Sequence, residues 1–175
     1  MIRAPLATSM AVSQRLTELA TVVQSIDELT FTAVRADGTS GSIGAHVRHT
    51  LDHIAALVDP SPGGIVDYDT RRRDTDIERE RWAAIGELTR LACRLHALPF
   101  EAEQEVVHVS AVIERSGRRV MTRSTLGREL VFVLSHTVHH QAIIALLLAS
   151  SGQRTPDCFG VAPSTPLLHP CAQSA

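Results

Sequence analysis

Apolar positions along the chain repeat at helical spacing in four stretches and at strand-like spacing in one. Val12, Leu16, Leu19, Val23 and Ile26 recur in steps of three and four, which predicts an amphipathic helix over residues 8–34 with Thr8 or Ser9 as N-cap. Ile43, Val47, Leu51, Ile54 and Val58 mark a second helix from about Ser42, closed by the breakers Asp59, Pro60, Ser61, Pro62, Gly63 and Gly64. Residues 65–73 read as a loop. Asp74 then reads as the N-cap of a third helix to about Ala97, with Ile77, Ile85, Leu88, Leu91 and Leu95 turned inward. Residues 105–122 change character: Val106, Val107, Val109, Val112, Ile113 and Val120 are β-branched, and Ser116-Gly117 lies between them, the pattern of a β-hairpin. Ser124 is placed to cap a fourth helix that runs to about Ser151, with Gly152 as its stop. That helix is apolar on most sides and so predicts the buried centre of a bundle.

The expected architecture is therefore all-α: a four-helix bundle over residues 8–152, with a small β-hairpin inserted before the last helix. Residues 153–175 are rich in proline and form a tail, expected as an extended strap or loose.

Composition adds exclusions. The 175 residues suit one domain, and 44% hydrophobic with 21% charged residues is globular composition. The net charge is −2 and aromatic residues are 3%, which argues against a nucleic-acid surface. Every basic side chain counted among the 17 is arginine, so lysine-based Schiff-base or P-loop chemistry is excluded. No uninterrupted apolar run reaches membrane-spanning length, and the first ten residues lack a signal-peptide core; the expected location is cytoplasmic, with no membrane partner. Cys93, Cys158 and Cys171 are odd in number and form no CxxC, so free thiols are expected, with Cys93 buried on its helix.

Histidine is the anomaly. Six of nine fall in two windows: His46, His49 and His53, then His136, His139 and His140. His136 and His140 lie one turn apart on one helix face, near Glu129, Ile143 and Leu147, at about 100° per residue. Two imidazoles at that spacing can chelate one cation. His46, His49 and His53 share one side of the second helix beside its apolar stripe, His46 and His53 nearer the apolar centre than His49. A third imidazole from that window would complete a three-histidine centre with an open position, the catalytic arrangement of a helical bundle.

Ser42-Ile43-Gly44-Ala45-His46-Val47-Arg48-His49 followed far downstream by His136-Thr137-Val138-His139-His140-Gln141 resembles the DinB-like superfamily, over roughly residues 8–152. The resemblance implies an up-down-down-up four-helix bundle holding a divalent metal, zinc or nickel, on His49, His136 and His140. His46 and His53 would be supporting groups or alternative ligands. It implies an enzyme that moves a low-molecular-weight thiol onto a small-molecule electrophile. Metal-dependent hydrolysis is the alternative, and a non-catalytic helical metal-binding or dimerising protein is another; a homodimer is expected. Glu129 or His139 would handle protons. Tyr68, Arg71 and Arg128 would contact substrate, the arginines gripping an anionic group.

Overall fold

A computed structural model describes residues 6–34, 41–60, 64–70 and 75–166. The chain is mostly helical, with one small three-stranded sheet. Four long helices carry the core: α1 (Ala7–Ser25), α3 (Ile43–Val58), α5 (Arg81–His96) and α6 (Leu126–Ser150). Two short ones, α2 (Glu28–Thr32) and α4 (Asp76–Arg79), precede α3 and α5. Helix α1 packs on α5 and α6, and α3 packs on the same two. Their facing sides interleave Leu16, Leu19, Leu51, Ile54, Leu88, Leu91, Leu130 and Ile144, each wholly buried. Each such side chain contributes about 1.5–3 kcal/mol of transfer free energy.

The helix boundaries have local causes. Helix α1 starts after Leu6, not at a Thr8 or Ser9 cap. It stops at Ser25, short of the expected Val34, because the Asp27 carboxylate accepts from Thr30 N–H (2.7 Å) and starts a new helix. The expected third helix is likewise divided. Glu80 is extended, and the Glu28 carboxylate accepts from Arg81 N–H (2.8 Å), capping α5 from outside. Asp74 lies outside the described residues; Thr75 precedes α4. Ser42 caps α3 as expected, accepting from Ala45 N–H at 3.1 Å. Thr125, rather than Ser124, caps α6.

The hairpin is present as β2 (Val106–Val112) and β3 (Arg119–Thr125), antiparallel, with Val106 opposite Thr125 and Val112 opposite Arg119. Gly117 takes φ +85° at its turn, a conformation glycine reaches without strain. A third strand, β1 (Ile65–Asp67), pairs parallel to β2 where a loop was expected. Three residues are too few to show alternation.

Two contacts fix the histidine-bearing face of α3. Arg48 is buried and donates to Asp52 and Glu78, at 2.8 Å each, tying α3 to α4. At Gly44 a side chain would strike the Glu78 backbone carbonyl. The described part of the tail docks: Phe159 enters the core, and Gly160, at φ +75°, lies against the α6 backbone at Ala142. Cys158 is disulfide-bonded, which corrects the free-thiol expectation for that residue. Cys93 is free as expected but exposed, not buried. Cys171 lies outside the described residues.

Helix α6 is long and apolar enough, by length and composition, to cross a membrane, because averaging over its length dilutes the polar positions that interrupt any strict apolar run. Its Glu129, Thr137, His140 and Gln141 are nevertheless buried against the other helices.

Candidate metal centre

Helices α3 and α6 bring both histidine windows together. His136 Nε2 lies 3.1 Å from His49 Nε2 and 3.2 Å from His140 Nε2. Ligand atoms of His49, His136 and His140 all fall within 4.8 Å of one another. An imidazole nitrogen has one in-plane site, either a proton or a lone pair. Hydrogen bonding therefore cannot satisfy His136 Nε2 towards two other Nε2 atoms at once. One cation can. Nitrogens bound tetrahedrally at about 2.0–2.1 Å from a shared zinc lie about 3.3–3.4 Å apart, close to the two short separations here. The donor set thus fits a divalent ion: His49, His136 and His140 can hold one.

The remaining histidines support this triad. His46 Nδ1 lies 3.0 Å from His140 Nδ1. With His140 Nε2 turned to the shared centre, its Nδ1–H donates to His46, which fixes both tautomers. His46 Nε2 is then the protonated nitrogen, and it is buried without a hydrogen-bond partner among the described residues. His53 Nδ1 donates to the His49 carbonyl (3.0 Å). Its ring stacks on His136 (centroids 4.2 Å apart) and on Tyr68 (5.2 Å). Phe132, one turn before His136, stacks on it from another side at 5.9 Å. Rotamer freedom of the central imidazole is thereby removed before any ion arrives.

Burial, then the neighbouring His136, His49, His46 and His139 rings, pushes the His140 imidazole down to about 2. Burial, then His139, also lowers His46. Both effects favour neutral imidazole, the form that binds metal.

A second polar cluster sits two turns towards the start of α6. Glu129 is 2% exposed. Its Oε2 accepts from Tyr68 Oη (2.8 Å), and its Oε1 from Ser124 Oγ (2.6 Å) and Arg128 (2.9 Å). Burial, followed by the bond to Glu129, raises the Tyr68 phenol and keeps it protonated as a donor. Among the described residues, Glu129 thus reaches the centre through Tyr68 and His53 and through Arg128 and Phe132, not by bonding a ligand imidazole.

Of the other residues expected at the site, Tyr68 and Arg128 flank Glu129, and His139 lies on the exposed side of α6 with its ring 5.2 Å from that of His140. Arg71 lies outside the described residues. Phe132 and the Ser124–Glu129 bond were missed. Phe132 could have been found from its place four residues before His136, on the same face. Trp82 is 61% exposed beneath Arg81 and takes no part in the site.

No family model and no solved structure matches the chain. Over 102 residues it is 30% identical to FK506-binding protein 5 of Rhizopus delemar, a match covering 58% of this chain and 26% of that protein. The chain thus spans about a quarter of that relative's length.

Proposed function

We propose that this chain is a DinB-like metal-dependent enzyme in which His49, His136 and His140 hold one zinc or nickel ion. The reaction we assign is transfer of a low-molecular-weight thiol to a small electrophile. One observation carries the reading: three Nε2 atoms converge in a way that hydrogen bonds cannot satisfy and an ion can.

The run of the helices supports the up-down-down-up order of that family. Ser13 bonds the Ala92 carbonyl, while Arg81 bonds the Val23 and Gln24 carbonyls, so α1 and α5 run oppositely. His46 meets His140 and His49 meets His136, so α3 and α6 run oppositely. Arg48 meets Glu78 and Asp59 meets Arg90, so α3 and the α4–α5 segment run together. Gln141 meets Arg15 and Gln153 meets Thr30, which runs α6 along α1.

When bound, the ion supplies Lewis acidity that lowers the pKa of a coordinated thiol towards neutrality. The protein's own groups do the rest. Three neutral ligands leave the ion its full charge and a fourth, open position. His46 holds His140 in its ligating tautomer. His53, Phe132 and Tyr68 orient His136 and wall the centre with low-dielectric surface.

The test is a cobalt-substituted sample titrated with a small thiol such as 2-mercaptoethanol. A thiolate-to-cobalt charge-transfer band supports the reading. An unchanged visible spectrum, with cobalt shown to be bound, contradicts it. Ester turnover without added thiol would instead assign hydrolysis.

A further inference from the structure

Between the sheet and the first turns of α6 lies a cavity of about 390 Å³ that the three-histidine centre does not use. Its floor is the Glu129 cluster. Val109, Ala111 and Phe132 give it apolar surface, and Thr122, Arg123 and Arg128 give it polar surface. Phe132 belongs both to this cavity and to the stack on His136, so the two sites share a wall.

The charged side chains that line it do not cancel. Glu129 is engaged by three donors and is neutralised by Arg128. The Arg128 guanidinium also lies 5.6 Å over the Phe132 ring, filling the place an incoming organic cation would seek. Arg123 makes no ion pair among the described residues and borders both this cavity and the shallower one beside it, which Arg128 also lines. One buried carboxylate against two arginines leaves an excess positive charge at the cavity mouth. Such a site rejects amines and attracts anions.

We propose that this cavity binds a small organic carboxylate with an apolar body, its carboxylate at Arg123 and Arg128 and its hydrocarbon part against Val109, Ala111 and Phe132. The site goes beyond the metal reading and stands whether or not an ion is bound, because none of its polar groups is a candidate ligand.

The test is calorimetric titration of the full chain with 3-phenylpropionate, 3-phenylpropanamide and 3-phenylpropylamine, in metal-free and zinc-treated samples. The acid should bind at least about tenfold more tightly than the amide or the amine, as expected when a charge-assisted contact is lost. Arg123→Gln and Arg128→Gln, made singly, should each lower affinity for the acid, with far-ultraviolet circular dichroism unchanged. As a second check, Thr122→Trp should fill the cavity and block binding. Equal binding of acid and amide, tighter binding of the amine, no saturable binding below about 10 mM, or unchanged affinity in both arginine variants would each overturn the proposal. Failure of zinc to bind, with the acid still bound, would leave this site standing and remove the metal reading alone.

Discussion

Helix α6 carries two buried polar clusters, and they solve the problem of burial in opposite ways. Around Glu129, donors match acceptors: Tyr68, Ser124 and Arg128 supply three hydrogen bonds to two carboxylate oxygens. Such a network is complete, and it anchors the start of α6 to the sheet and to the segment after β1. Around His136, the ring nitrogens do not pair off. Three Nε2 atoms crowd one point, and no assignment of protons satisfies them together. A closed network suits positioning; an over-converged set of ring nitrogens suits an ion. Both lie on one helix within two turns, so burial alone cannot separate them, but donor–acceptor matching can.

Substitutions should sharpen that contrast. The largest effect is expected at the centre. His136→Ala removes the imidazole that meets both partners and should lower zinc affinity by more than about a hundredfold, beyond the loss typical of supporting groups; competition with a chromophoric chelator measures it. Glu129→Ala should act on the fold instead. It strands the half-buried Tyr68 and Ser124 hydroxyls and should cost about 2–4 kcal/mol in urea denaturation, while zinc stoichiometry stays unchanged. His46→Ala frees the His140 tautomer without removing a ligand, so about a tenfold loss of zinc affinity is expected by the same competition.

A last effect, small per pH unit, is graded with pH. The folded-state pKa of His140 lies far below its ordinary value near 6.5, so the unfolded chain takes up this proton first. Stability of the metal-free protein is therefore fully present above about pH 6.5 and falls as pH drops below it towards about 2. This one group contributes at most about 1.4 kcal/mol per pH unit. Denaturant midpoints of chelator-treated protein at stepped pH check the sign.

Much of this was legible in the sequence. The apolar periodicity located the four long helices, and the β-branched run located the hairpin. The fault lines within two helices were not legible: the apolar periodicity runs through the local Asp27 cap, and Glu28 caps α5 only once the fold brings it to Arg81. Strand β1 is defined by its partner β2 rather than by any pattern of its own. The i,i+4 pair His136 and His140 followed from spacing. The choice among His46, His49 and His53 did not, because a small error in helix phase moves the convergence point from one ring to the next. The resemblance pointed to His49, and its Nε2 is the nitrogen of that window that lies 3.1 Å from His136 Nε2. Glu129 shares a helix face with the centre yet serves a different cluster, since seven residues of rise separate it from His136 by about 10 Å.

Whether the three histidines hold an ion is read most directly from the metal content of the purified chain, expressed without a polyhistidine tag and measured by elemental mass spectrometry after equilibration with zinc or nickel. The expected result is close to one ion per chain, falling close to zero in His136→Ala. A wild-type value near zero, or a value unchanged by His136→Ala, would contradict it.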